Sequence, residues 1–122
     1  MVLKDEKETD MAMLAMCLPI LPGKKEKWLE MMNHVLAKGT DAGDGFRASR
    51  EAAGVHERSF LQETPNGDFL ILTFEGDDPQ ASFAKIMQNM PPDFDDFAKE
   101  VHGMDVNAPP PPLPKLVFDS RA

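Results

Sequence analysis

From Met11 to Leu18 the chain is apolar without interruption, with Met11, Met13, Ala15 and Cys17 on one alternating face and Ala12, Leu14, Met16 and Leu18 on the other. A strand with no polar face is one buried on both sides. Met, Ala and Leu also favour helix, so the shortness of the run and the closing Pro19 and Pro22 decide for a strand. Beyond Pro22-Gly23, Trp28, Met31, Met32, Val35 and Leu36 recur at helical spacing, which predicts an amphipathic helix ending at Gly39. A second helical piece is expected from Phe46 to Ala53, after a loose Asp41–Gly45 linker and before a stop at Gly54. Val55–Thr64 alternates imperfectly, as an outer strand does. Thr64-Pro65-Asn66-Gly67-Asp68 has the composition of a tight hairpin turn. The return strand Phe69–Phe74 is apolar on both faces, and both it and the first strand are expected to be central.

Asp78 and Pro79 suit the cap and first position of another helix, whose stripe is Phe83, Ile86, Met87 and Met90 and whose stop is Pro91-Pro92. Phe94, Phe97, Ala98 and Val101 repeat the helical pattern before Gly103. From Pro109 to Pro114 there are five prolines in six positions, a composition that favours an extended strap, and its apolar end Leu116-Val117-Phe118 suits an edge strand. The chain thus divides into an acidic lead-in at 1–10, a folded domain at 11–108 and a proline-rich strap with a short strand at 109–122. Strand, helix, strand, hairpin, strand, helix is the split βαβ order of ferredoxin-like α+β domains: a four-stranded antiparallel sheet with helices on one face. Helices on one face leave the other bare, and a strand without a polar face does not tolerate that. A second copy packed sheet to sheet as a homodimer is the expected cover.

Charge narrows the partners. The 122 residues carry 13 basic and 21 acidic side chains, a net charge of −8, with a pI near 4.7, so the chain repels nucleic acid and anionic lipid. The apolar run from Met11 is too short to span a bilayer, and its acidic leader is unlike an export signal. The lone Cys17 has no disulfide partner and is expected to behave as a small hydrophobe, which fits a reducing, cytoplasmic setting.

The segments Leu18-Pro19-Ile20-Leu21-Pro22-Gly23-Lys24, Gln62-Glu63-Thr64-Pro65-Asn66-Gly67-Asp68-Phe69, Phe74-Glu75-Gly76-Asp77-Asp78-Pro79 and Pro114-Lys115-Leu116-Val117-Phe118-Asp119 resemble those of a small bacterial family of unassigned function in the dimeric α+β barrel superfamily. The likeness runs from Met11 to Asp119 and rests on turns, caps and the strap. It implies a homodimer, and a space between sheet and helices that relatives use for small ligands, haem or quinone-like oxidations. No catalytic pattern of those relatives carries over residue by residue, and the chain has no tyrosine.

His34, His56 and His102 are isolated from one another, so no metal-ligand spacing is present. Asp93, Asp95, Asp96, Asp77 and Asp78 fall at helix starts, where negative charge complements the dipole. His56 and Arg58 share one face of the second strand with Phe60 and Gln62, and such a face could hold an anionic or aromatic ligand or simply meet solvent. Trp28 lies on the core stripe of its helix and could wall the same pocket. Arg47 and Arg50 could clamp a carboxylate or pair with Glu51 and Glu57. Ser59 and Cys17 lack an activating partner, and no glycine fingerprint for a nucleotide follows a strand. The expected function is a dimer binding a small ligand through Trp28, His56, Arg58 and Arg50. The alternatives are a cofactor-independent or haem-dependent oxidoreductase or monooxygenase, and a structural or regulatory dimer without ligand. The cofactor, if any, is left unspecified.

Overall fold

A computed structural model describes residues 12–105, 107–108 and 113–121. The lead-in at 1–10 and the prolines at 109–112 lie outside the described residues. Three strands, β1 (Ala12–Ile20), β2 (Val55–Thr64) and β3 (Gly67–Gly76), form an antiparallel sheet in the order β1-β3-β2. Four helices, α1 (Lys25–Leu36), α2 (Asp41–Ala53), α3 (Pro79–Gln88) and α4 (Pro92–His102), complete an α+β domain whose element order is compatible with a ferredoxin-like fold. No helix among the described residues is long and apolar enough to cross a membrane.

The register fixes the two faces. Leu14 stands opposite Phe74 and Met16 opposite Leu72, while Leu72 also faces Ser59, and Leu70 lies between Leu18 and Leu61. On this face Leu14, Met16, Ile20, Leu70, Phe74 and Val55 are buried, packed on Trp28 of α1, Ile86 of α3 and Val101 of α4. Phe74 meets Phe83 with ring centroids 5.6 Å apart. Lys24 and Lys27 both pair with Glu100, holding its carboxyl below the usual range and tying α1 to α4.

Three expectations need correction. The sheet has three strands, not four: Leu116, Val117 and Phe118 are in no strand and are exposed. Three apolar residues between Lys115 and Asp119 bury too little within the single chain to offset the backbone entropy that pairing costs, so without a further surface to cover the segment stays unpaired. Among the described residues β1 is consequently an edge strand and only β3 is central; Met13, Ala15 and Cys17 are exposed, so apolar positions on both faces of β1 reported neither burial on both sides nor a central place in the sheet. Finally, Asp41–Gly45 is not a linker but the first turn of α2. Thr40 caps it, its hydroxyl accepting from the Gly43 N–H at 3.1 Å, and Asp41 and Asp44 suit the positive end of the helix. Gly43 sits so close to the end of α1 that a Cβ there would come 2.2 Å from the Ala37 carbonyl oxygen. Arg47 donates to the Val35 carbonyl at 2.9 Å, so this arginine closes the end of α1.

α1 ends at Leu36 with its cap at Ala37, short of the expected stop at Gly39, whereas two other expected boundaries hold. Gly54 ends α2 in the left-handed conformation at φ 76°, and Asp78 caps α3 with Pro79 at its first turn. In the hairpin, Thr64 donates through its hydroxyl to the Gly67 carbonyl at 2.6 Å and accepts from the Asn66 N–H at 3.2 Å.

Candidate functional site

Between the sheet and the helices lies a cavity of about 80 Å³. Met16, Leu18, Leu70 and Leu72 form its floor, and Trp28, Met31, Met87, Met90, Phe94 and Phe97 form much of its roof. Six of the chain's nine methionines line it: Met16, Met31, Met32, Met87, Met90 and Met104. Thioether side chains are flexible and polarisable, so such a wall adapts its shape at low cost. The same residues supplied the helical stripes in the sequence, where a Met and Phe stripe reads first as core.

Five polar side chains, Arg50, Glu57, Ser59, Trp28 and His102, interrupt this apolar lining. At the β2 side, Arg50 and Glu57 form an ion pair, Nε to Oε1 2.6 Å, with only 12% and 9% of the side chains exposed. The Arg50 guanidinium also lies 3.7 Å from the centroid of the Phe46 ring and donates to Ser49 Oγ at 3.3 Å. Its charge is thereby matched by Glu57 within the protein.

At the β1 side stand Trp28 and His102. Trp28 is 4% exposed, and its indole N–H, fully buried, has no acceptor among the described residues. A buried donor without an acceptor costs about 1–3 kcal/mol relative to a satisfied one, so this group marks where an acceptor is missing. His102 was not singled out by spacing, because nothing near it in sequence suggests a site. Its Nδ1 lies 2.8 Å from the Pro19 carbonyl oxygen, and a carbonyl only accepts, so Nδ1 carries the proton. The neutral ring then presents Nε2 as an acceptor. Burial lowers the His102 pKa below 6.5, partly opposed by the Pro19 hydrogen bond, which favours that neutral form. Phe97 packs edge-on against the ring at a centroid distance of 6.1 Å.

Of the four residues expected to share a site, Trp28 and Arg50 both line the cavity. His56 and Arg58 do not join them. They alternate with Glu57 on β2 and project from the opposite face of the sheet, beside Glu75 and Thr73 of β3. Arg58 pairs there with Glu75 at 3.5 Å, both partly solvent-exposed.

Among the described residues nothing covers that opposite face. Across it run Met13, Ala15, Cys17 and Pro19 of β1, Phe69, Ile71, Thr73 and Glu75 of β3, and His56, Arg58, Phe60 and Gln62 of β2. Met13 is 54% and Phe60 51% exposed, and the Cys17 thiol is exposed rather than buried. Its only carboxylate is Glu75 and its only arginine Arg58, so the face is close to neutral on a chain of net charge −8. No group of three or more metal-ligating side chains occurs among the described residues. No protein-family model, curated protein or solved structure matches the chain.

Proposed function

We propose that the protein binds a small, uncharged, ring-shaped ligand in the cavity between sheet and helices, as a homodimer joined through the uncovered sheet face. The unsatisfied indole N–H of Trp28 in a largely apolar wall carries the ligand reading. A ligand carbonyl or ether oxygen accepts from it, and a ligand hydroxyl donates to His102 Nε2. Of the anionic and aromatic ligands considered from sequence, the aromatic class is favoured because Arg50 is already neutralised by Glu57. At about 80 Å³ the space is smaller than the roughly 150 Å³ void that admits benzene, so entry requires the methionines to change rotamer. A porphyrin does not fit without displacing the helices.

The dimer reading rests on the bare, nearly neutral sheet face. Leaving such side chains in water forgoes roughly 1.5–3 kcal/mol for each one fully covered, and an acidic protein brings a second copy close most cheaply through its least charged surface. The element order is compatible with a ferredoxin-like fold, for which sheet-to-sheet pairing would be the arrangement of the dimeric α+β barrel superfamily, and the single exposed thiol suits a reducing, cytoplasmic compartment. A cofactor-independent oxidation draws on one observation of its own, the neutral His102 imidazole in the cavity wall, which can take the proton of a phenolic ligand.

Trp28 is the only tryptophan and there is no tyrosine, so fluorescence reports the site directly. Titration with acetophenone, phenol, toluene and benzoate is expected to shift Trp28 emission with acetophenone and phenol, with benzoate at least about tenfold weaker. Silence throughout the panel, or benzoate binding best, contradicts the reading. Oxygen uptake with phenolic ligands separates turnover from binding.

A further inference from the structure

Among the described residues the segment at 113–121 is in no strand, and β1 pairs only with β3. Near its end the other edge is occupied by α4, since His102 donates to the Pro19 carbonyl at 2.8 Å and the Leu21 N–H donates to the Val101 carbonyl at 2.8 Å. In a strand the N–H and C=O of one residue point to the same side and successive residues alternate. Pro19 and Leu21 point away from β3, so Met13, Ala15 and Cys17 do too. Their backbone groups meet no strand among the described residues, a row of donors and acceptors ready to pair with an added strand. The proline at 19, lacking an N–H, sits on this outward edge, where none is needed.

The strap supplies a matching segment. Leu116, Val117 and Phe118 are 74%, 88% and 78% exposed, apolar and extended in sequence between Lys115 and Asp119. Among the described residues of the single chain it pairs with no strand, although its own β1 edge is open to it. What a dimer adds is a second copy, whose C-terminal segment offers the same exposed apolar residues to β1, the strand that borders the uncovered face.

We infer that Leu116–Phe118 of each chain pairs along the free edge of β1 of a second copy, making a fourth strand from the partner. The inference rests on the dimer reading. It explains why the segment is apolar without a core of its own to join, and why β1 is apolar on both faces while lying at an edge.

Cys17, the only cysteine and an outward residue of β1, allows a direct test. Single variants Leu116→Cys, Val117→Cys and Phe118→Cys of the full chain are oxidised mildly and resolved without reductant, beside the same variants carrying Cys17→Ser. Neighbouring residues on paired strands lie within disulfide reach, so at least one variant is expected to form a disulfide-linked dimer about tenfold more abundant than its Cys17→Ser control. An intrachain disulfide would show the strap closing its own sheet, and no Cys17 bond in any variant would show no pairing; either outcome overturns the inference. Light scattering on the reduced samples separates the two readings. A dimer mass without the Cys17 bond rejects only the strap, whereas a monomer mass rejects the dimer as well.

Discussion

The two faces of one sheet differ more than their strands suggest. On the helix side Leu14 and Phe74 are 4% and 2% exposed, and the few polar groups, Arg50, Glu57, Ser59, Trp28 and His102, sit in the wall of a cavity. On the other side Met13 and Phe60 are half exposed, and the polar groups His56, Arg58 and Glu75 form part of an open surface. Similar side chains in the same three strands therefore perform different work. Inside, they build the fold and enclose a space; outside, among the described residues, they face solvent. Under the proposed dimer, that apolar outer face is the surface a second copy covers.

Substitutions can break this contrast, and the largest effects belong to the inner face. Phe74→Ala removes a buried ring from the Phe83 contact and should cost about 3–5 kcal/mol of unfolding free energy by chemical denaturation. A loss below about 1 kcal/mol would mean that the inner face is not the core. Arg50→Met leaves the Glu57 carboxylate largely buried without its partner and should cost about 3 kcal/mol. The double variant Arg50→Met, Glu57→Leu should recover most of that loss, and failure to recover would assign the cost to the Phe46 contact instead.

On the outer face, Phe60→Asp should leave the folding of the chain nearly unchanged, with a native circular dichroism spectrum. It should weaken self-association by about 2 kcal/mol, or roughly thirtyfold, in analytical ultracentrifugation. Loss of fold with no change in association would reverse the roles assigned to the two faces.

His102 gives a smaller, pH-dependent difference. Its pKa is lowered on folding from an ordinary value of 6.5, so between the folded and unfolded values the unfolded chain holds more protons. Stability from this group is fully present above about pH 6.5 and is lost as pH falls toward the folded pKa, then levels off. Denaturation midpoints of His102→Gln should be flatter than those of the parent across that interval. Trp28→Phe has the smallest effect on stability, neutral or a gain of up to about 1 kcal/mol, because it removes a buried donor that lacks an acceptor. It should nevertheless abolish the preference for carbonyl ligands, read by calorimetry.

Much of the inner face was legible in sequence. The stripes Trp28, Met31 and Met32 and Phe83, Ile86 and Met87 identified helix faces because a helix repeats its environment every few residues. Asp78-Pro79 and Gly54 marked real boundaries because their backbone chemistry is local. Strand order was not legible in β1, since alternation reports which sides are covered and not which neighbour hydrogen-bonds. Asp41–Gly45 reads as a loop by its glycines, yet Thr40 and the fit of Gly43 against Ala37 make it helix.

The site was legible only in part. Trp28 and Arg50 both line the cavity, and Arg50 is paired with Glu57, one of the two partners weighed for it beside a ligand carboxylate. His56 and Arg58 lie across the sheet from it, because neither pattern nor composition says which face of an imperfectly alternating strand is turned inward. His102 emerges only from the fold, which brings α4 to the Pro19 carbonyl across 83 positions of chain.

The claim that unites these observations is that the outer sheet face is made for a second copy. Sedimentation equilibrium of the full chain at micromolar concentration, under reducing conditions, tests it most directly. The account predicts twice the monomer mass of 13.5 kDa. A single species at the monomer mass would contradict it.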